Sequence, residues 1–515
     1  MTASSEHDVA ALDEVPLTGL HVVDVAGTPI LLTRQGDTVH AVGARCPHAG
    51  GPLAEGVRDG DRVICPWHKA AFCLTTGTLL DPPAVDPLPR YDVRVAAGRV
   101  LVTLPAAPAK DAAAAPDARC FVIAGAGAAG AMAAQTMREI GFGGRIVMLD
   151  SANRVPYDRT VLSKYALSGE AGAEKTPLQR QDYYRAHRIE RRTATVVAVD
   201  PDGRRITCAD GTSLAYDQLL LATGGMPRRP HIPGAERAFL LRSRDDAERI
   251  LAQAERSERA VVLGAGFIGM EVAAALRERG LDVTVVGPEA APFEKQLGAT
   301  IGRAFVHLHL RYGVAFRLSR SITSIEADGV TLDSGERLPA DLVVIGAGIT
   351  PATEFAASLP RNDDGSLSVD ATLRVADGIY AAGDIARFPL YGDGTPIRVE
   401  HWRVAEQHGR VAARNMLGGS ERYDAVPVFW TIQYLKRLDY IGHAADWDDI
   451  VVHGDLEQPC FLAYYVKDGF VVAAAGLDRD RDTAALIALF SRRRDWTPKA
   501  LGASPADVLA RGAGA

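Results

Sequence analysis

Cysteine is scarce in this chain. There are six in 515 residues, none in a C-x-x-C pair, and this excludes a disulfide framework. Positive charge is not in excess either: 57 Lys and Arg against 64 Asp and Glu, a net charge of −7, argue against nucleic acid as a partner. Local basic docking surfaces remain open. No run of eighteen apolar residues occurs, so no membrane span is expected. The N-terminal stretch MTASSEHDVAALDE lacks the basic and apolar regions of a secretory leader, which makes the cytoplasm the expected location. With 47% apolar and 23% charged residues, the composition is that of an ordinary globular protein. The chain is too long for one core, and three or four domains are expected.

Two short loops carry the strongest chemical signal. Cys46-Pro-His48 and Cys65-Pro-Trp-His68 each offer one thiolate and one imidazole, with sixteen residues between them. Two cysteines and two histidines in alternation suit a pair of metal ions that want different ligands. In a Rieske [2Fe–2S] centre one iron takes two thiolates and the other two imidazoles. A Cys2His2 zinc site is the alternative, but such sites usually group C-x-x-C with H-x-x-x-H, and that grouping is absent. The prolines after both cysteines and Gly50-Gly51 favour tight turns that aim amide N–H groups at sulfur. CPHAGGPL followed by CPWH resembles the Rieske-type ferredoxins. The resemblance makes Cys46, His48, Cys65 and His68 the metal ligands and puts both histidines on the outer, more exposed iron. No second cysteine stands in either loop, which matches the soluble, lower-potential branch. Cys73 has no assigned role.

The chain reads as several pieces. Short strands between about His21 and Leu104 form an all-β module, taken as 1–104. The Ala/Pro-rich stretch 105–118 reads as a linker that reaches roughly 40 Å when extended and lets the module dock or swing. A first strand–turn–helix unit opens a discontinuous domain, 119–243 and 350–426. A second opens a domain over 244–349. Beyond Pro427 four strands, a hairpin turn at Asp468-Gly469 and a helix from about Asp482 to Arg494 suggest a small α/β interface domain, 427–515.

Each strand–turn–helix unit carries a dinucleotide fingerprint. Gly125-x-Gly127-x-x-Gly130 follows the strand CFVIA, and Asp150 ends the next strand, RIVMLD. The three glycines serve the tight turn, the close approach of pyrophosphate and the helix–strand contact, and the aspartate accepts ribose hydroxyls. Gly264-x-Gly266-x-x-Gly269 repeats the pattern after AVVL, but Gly287 stands where its acid is expected, with Glu289 two residues later. Glu289 reaching the ribose, with no arginine placed for a 2′-phosphate, favours NADH over NADPH. A pair of such motifs in βαβ settings argues against two ligand-free turns.

YDQLLLATGG, with Thr223 and Gly224 near its end, and GIYAAGD, ending in Gly383-Asp384, complete the first site. From about residue 119 onward the chain resembles the FAD-dependent pyridine-nucleotide oxidoreductases. The resemblance implies that Gly383 and Asp384 close on the flavin's ribityl and phosphate groups. It implies that VPYDRTVLSKYAL brings Arg159 and Lys164 near the isoalloxazine, and that Lys164 and Glu271 pair beside flavin and nicotinamide. Thr160 stands where the family usually has proline. A surface ion pair is the bland alternative for Lys164 and Glu271, and it would contribute little.

Relatives that reduce disulfides need a cysteine pair near the flavin, and Tyr157 to Leu167 contains no cysteine. Electrons must leave by another route. NADH delivers two together, a [2Fe–2S] cluster accepts one at a time, and a flavin can do both. HWRVAEQHGRVAARNML and VPVFWTIQYLKRLDYIG extend the resemblance to the Rieske-containing, apoptosis-inducing-factor-like flavoproteins and to the ferredoxin reductases of oxygenase systems. In that family the positions of His401, Trp402 and Trp430 lie around flavin and nicotinamide. Core packing is the other reading for both tryptophans.

The expected architecture is therefore α/β. Two Rossmann-like FAD- and NAD-binding domains stand between an N-terminal all-β Rieske domain and a C-terminal α/β interface domain. The expected activity is electron transfer from NADH through FAD to the [2Fe–2S] cluster. A soluble one-electron acceptor then follows: a ferredoxin, an oxygenase component or a cytochrome. A homodimer is compatible with this reading. The alternative is a redox-sensing module whose oligomeric state responds to NADH.

Overall fold

The computed structural model describes residues 5–104, 115–170 and 177–512. Most of the expected linker, 105–114, lies outside the described residues. The N-terminal module holds two antiparallel sheets. The larger has six strands and includes Glu6–Ala11, an edge strand that the sequence reading passed over. Its residues are too polar to show a clean alternation, and ion pairs Arg94–Glu6 (2.7 Å) and Arg99–Asp8 (2.8 Å) hold it to its neighbours. The smaller sheet consists of four three-residue strands, Val57–Asp59, Arg62–Ile64, Ala71–Cys73 and Leu79–Asp81. One ligand loop follows the strand Thr38–Gly43, and the other joins Arg62–Ile64 to Ala71–Cys73.

Two parallel sheets follow. In the first, Cys120–Ala124 lies between Arg145–Asp150 and Gln218–Leu221, and the latter pairs with Ile379–Ala381 from much later in the chain. That pairing makes the unit discontinuous. The second is built around Arg259–Leu263, flanked by Asp282–Gly287 and Leu342–Ile345. These strands are apolar on both faces because both are covered: in the second sheet Val262, Val285 and Val344 pack on helices, and Val261, Leu263, Val286 and Val343 pack on a small three-stranded antiparallel sheet. The C-terminal sheet is antiparallel, with five strands. Asp468 and Gly469 form the expected turn with positive φ. A further strand, Val428–Gln433, precedes the expected ones. Its turn, Tyr434-Leu435, has positive φ at both residues without glycine or asparagine, so no turn signal marked it. The last long helix spans Asp480–Ser491, two residues earlier at its start than expected. Asp480 and Asp482 suit its N-terminal turn.

The Rieske-type module is docked on the remainder of the chain, one of the two arrangements that the linker left open. Val57, Ile64 and Ala71 share one core with Val428, Ile441, Leu462 and Leu486 of the C-terminal domain. Around this core the helix Trp402–Met416 supplies polar anchors. Arg403 donates to the Pro82 carbonyl (2.9 Å), Gln407 to Asp81 (3.0 Å) and Arg410 to the Leu79 carbonyl (3.0 Å). Lys69 pairs with Asp439 at 2.7 Å, and both side chains are almost fully buried. Breaking a pair in such surroundings strands an uncompensated charge, so the contact specifies one seating.

Candidate flavin and cluster site

The ligand loops fold as their prolines and glycines suggest. Cys46 N donates to Gly51 O (2.9 Å), Gly50 N to Cys46 O (2.8 Å) and Cys65 N to Ala70 O (2.8 Å). Gly50 has φ +77°. A Cβ on Gly51 would stand 2.8 Å from the Cys65 sulfur, so only glycine lets the loops close on each other. Backbone N–H groups of His48 and Ala49 point at the Cys46 sulfur, and those of Trp67 and His68 at Cys65. Each buried cysteine is the largest cause of the other's shift: Cys65 holds the Cys46 thiol up, and Cys46 lowers Cys65. The Nδ1 atoms of His48 and His68 lie 3.1 Å apart, with the rings edge to face. Burial lowers the pKa of both imidazoles and keeps them in the neutral, ligating form. The donors thus pair by type, sulfur with sulfur and Nδ1 with Nδ1. Among the described residues no three His, Cys, Asp or Glu side chains gather as one metal site. Two pairs fit a two-iron centre.

The two histidines are half-buried, whereas both cysteines are buried. The histidines line a cavity of about 630 Å³ shared with Lys164, Asp158, Trp402, Trp430 and Arg437. The His68 ring lies 5.1 Å from the Trp430 ring. The imidazole end, expected as the more exposed one, looks toward the residues expected around the flavin. The linker had left this geometry open, and docking decided it.

On the other wall, Lys164 and Glu271 pair at 3.0 Å with side chains 8% and 3% exposed, which discards the surface alternative. Lys164 sits in a wide turn, Leu162–Ala166, of the FAD-type domain, and Glu271 in the helix Phe267–Glu278 of the NAD-type domain. Glu271 also accepts from Ser163 (2.5 Å) and Thr431 (2.7 Å). Ser163, Thr431 and Asp158 were missed as site residues. Only their adjacency to Lys164, Trp430 and Arg159 could have pointed to them.

The first fingerprint has the backbone a dinucleotide needs. Gly125 has φ +110°, and a Cβ there would lie 2.2 Å from Ala222 O. One on Gly130 would lie 1.9 Å from Gly125 O, whereas one on Gly127 meets nothing within 4 Å. Gly127 is thus the open approach for a phosphate. Asp150 faces a small pocket beside Asn153 and Thr193. Gly224 and Gly383 both have positive φ and converge near Asp384, which pairs with Arg242 at 3.2 Å. Thr223 spends its hydroxyl on Ala352 O (2.7 Å), so only its backbone faces the site. Arg159 lies outside the cavity lining, among the charges of Arg242, Asp150 and Asp384. His401 is held neutral by burial, at about 3, and its Nδ1 has no partner among the described residues. An open glycine cradle and a buried, unpartnered imidazole fit a bound FAD.

The second fingerprint repeats the geometry. Gly264 has φ +110°, a Cβ on Gly269 would lie 2.0 Å from Gly264 O, and Gly266 is open. Glu289 is held by Lys295 at 3.0 Å, a cation beside the ribose position that the sequence reading had not placed there.

Comparison with known proteins agrees with this geometry. Residues 120–409 match the family model for pyridine nucleotide-disulphide oxidoreductases, residues 5–92 the Rieske [2Fe-2S] domain and residues 428–510 the reductase C-terminal domain. The chain is 36% identical over 483 residues to apoptosis-inducing factor 3 of Mus musculus, covering 89% of this chain and 79% of that protein. It is 37% identical over 377 residues to the anthranilate 1,2-dioxygenase system ferredoxin--NAD(+) reductase component of Burkholderia cepacia, covering 71% and 92%. The crystal structure of the covalent putidaredoxin reductase–putidaredoxin complex superposes with a TM-score of 0.73 at 31% identity, over 78% of this chain and 100% of that one. The chain belongs to the pyridine nucleotide-disulphide oxidoreductase family, as a ferredoxin-reductase-like NADH flavoprotein that uses FAD and NAD(H) and carries its own Rieske [2Fe–2S] domain.

Proposed function

We propose that electrons pass from the flavin site to the cluster inside one chain, across the cavity that Lys164, Trp402 and Trp430 share with His48 and His68. That shared cavity is the observation that carries the reading. Bound FAD supplies the exchange between a hydride and single electrons, and the cluster stores one electron at a time. Gly125, Gly127, Gly130, Asp150, Gly224, Gly383 and Asp384 hold the FAD, with Arg159 offsetting phosphate charge and His401 closing one side. Gly264, Gly266, Gly269 and Glu289 hold NADH. Lys164, fixed by Glu271, keeps a positive charge at the cavity wall. Trp402 and Trp430 exclude water between the two centres, and Trp430 carries the packing onto His68. Cys46, His48, Cys65 and His68 ligate the irons.

Relatives named for ferredoxin and oxygenase systems support a one-electron acceptor beyond the cluster: a ferredoxin, an oxygenase component or a cytochrome. A homodimer is compatible with transfer inside one chain, which needs no second copy. Beyond the two cluster cysteines, Cys73, Cys120, Cys208 and Cys460 are all unpaired, which suits a reducing compartment such as the cytoplasm.

Anaerobic rapid mixing with NADH tests the route, with flavin absorbance and the EPR signal of the reduced cluster followed together. Cluster reduction should follow flavin reduction at a rate independent of protein concentration. A flavin that reduces while the cluster stays oxidised would sink the proposal, and a second-order rate would move the transfer between chains.

A further inference from the structure

Behind the Lys164–Glu271 pair runs a buried line of hydrogen bonds. His309, on the helix Glu294–Arg311, meets Gln433 Oε1 through Nε2 at 2.7 Å. Gln433 Nε2 donates to Thr431 Oγ1 at 3.2 Å, and Thr431 donates to Glu271 Oε1 at 2.7 Å. Glu271 Oε2 takes Ser163 at 2.5 Å and Lys164 at 3.0 Å, and Lys164 also donates to Thr160 O at 2.9 Å. His309, Gln433, Thr431 and Glu271 are each no more than 3% exposed. The line joins three units: Lys164 and Ser163 belong to the FAD-type domain, Glu271 and His309 to the NAD-type domain, and Thr431 and Gln433 to the C-terminal sheet.

We propose that Thr431, Gln433 and His309 are positioning residues that set the Glu271 carboxylate, and through it the Lys164 ammonium, against the flavin. The inference rests on the reading of Lys164 as a flavin-side residue. Donor direction carries the argument. Glu271 needs every donor it receives, because a buried carboxylate without them is costly. Thr431 has one hydroxyl proton and gives it to Glu271 while its oxygen accepts the Gln433 N–H. With the carboxamide turned over, the Gln433 and Glu271 oxygens would compete for that one proton, and one buried acceptor would lose its partner. His309 prevents this turn by donating from Nε2 to Gln433 Oε1. Burial holds His309 neutral, at about 4, and its Nδ1 has no partner among the described residues, so the ring spends its one proton on Gln433.

The hairpin tip is clasped in place to match. The rings of Tyr434 and Tyr312 stack at 3.7 Å, and His309 packs on Tyr434 at 5.0 Å. Tyr434 and Leu435 both hold positive φ, a strained turn of the kind that persists where its surroundings over-determine it. Strand alternation does the rest. Thr431 and Gln433 face the ion pair, and Trp430 on the opposite face meets His68. One strand therefore fixes both sides of the electron path.

The test compares Thr431→Val, Thr431→Ser, Gln433→Leu and His309→Phe in the FAD-loaded, cluster-loaded protein. Thr431→Val should lower the limiting rate of flavin reduction by NADH about tenfold with little change in the NADH KM. It should also shift the flavin's visible band and midpoint, because Lys164 is then drawn toward Glu271. Thr431→Ser should restore rate, band and midpoint, and Gln433→Leu should reproduce the loss. His309→Phe keeps an aromatic ring but no donor and should show a smaller loss of the same kind. It also stands in if Thr431→Val does not accumulate. Wild-type rate and an unshifted band in both Gln433→Leu and His309→Phe would overturn the proposal. If NADH fails to reduce even the wild-type flavin, the proposed function fails. The positioning line is then judged separately on band and midpoint in a dithionite titration.

Discussion

The two dinucleotide folds of this chain have almost the same backbone and different surroundings. Gly125 and Gly264 share φ +110°, and Gly130 and Gly269 each bring a helix to within a Cβ of a carbonyl oxygen. Beyond the fingerprint the likeness ends. The first fold has Asp150 at its strand end, a second pair of left-handed glycines at Gly224 and Gly383, Asp384 held by Arg242, and a buried helix laid across it. The second has Gly287 and an exposed-side pair, Glu289 with Lys295. The comparison teaches that a glycine fingerprint specifies a phosphate-binding turn, while the layers around it separate a cofactor that stays from one that comes and goes.

The largest expected effect comes from the same substitution made in both folds. Gly130→Ala places a Cβ 1.9 Å from Gly125 O, and overpacking of this kind costs about 1–3 kcal/mol or more. Purified Gly130→Ala should contain little FAD and show no NADH-driven cluster reduction, although dithionite still reduces the cluster. Gly269→Ala should retain FAD and lose NADH affinity by about tenfold, a change of about 1.4 kcal/mol. If both variants lost flavin equally, the two sites would not be separable as described.

Acid should sharpen the comparison next. The first fold holds two neutral histidines, His401 and His408, each lowered by burial to about 3, and the second holds His309, lowered to about 4, all from 6.5. The folded state binds fewer protons than the unfolded one between those values and 6.5. Stability from these groups is complete above pH 6.5 and falls as pH drops through the window, by about 1.4 kcal/mol per unit for each histidine. Denaturant midpoints measured from pH 7 to 4.5 should fall accordingly, and His309→Phe should flatten the slope. An unchanged midpoint would mean that these rings titrate normally. The smallest effect belongs to Glu289→Gln, which frees Lys295 to meet a 2′-phosphate. The NADH-to-NADPH preference in steady-state kcat/KM should narrow by about fivefold, about 1 kcal/mol. An unchanged ratio would remove Glu289 from cofactor choice.

Much of this protein was legible in the chain because its signals are local. The ligand loops Cys46–His48 and Cys65–His68, both glycine fingerprints and the Asp468-Gly469 turn each need only neighbouring residues to act. The edge strand Glu6–Ala11 was not legible, because its polar residues are held by partners across the sheet. The Tyr434-Leu435 turn was not legible either, because its conformation is imposed by stacking on Tyr312 and not by glycine.

Sequence alone supplied the candidates for the chemistry: two cysteines and two histidines in a pattern that suits a two-iron centre, two glycine fingerprints, and no cysteine between Tyr157 and Leu167. Only the tertiary structure decided where those pieces face. The seating of the cluster module depends on Lys69 meeting Asp439 and on Arg403, Gln407 and Arg410 reaching the carbonyls and the Asp81 carboxylate. The direction of the histidines depends in turn on that seating. Such buried polar contacts join residues hundreds of positions apart, and their energy exists only once water has been excluded from between them.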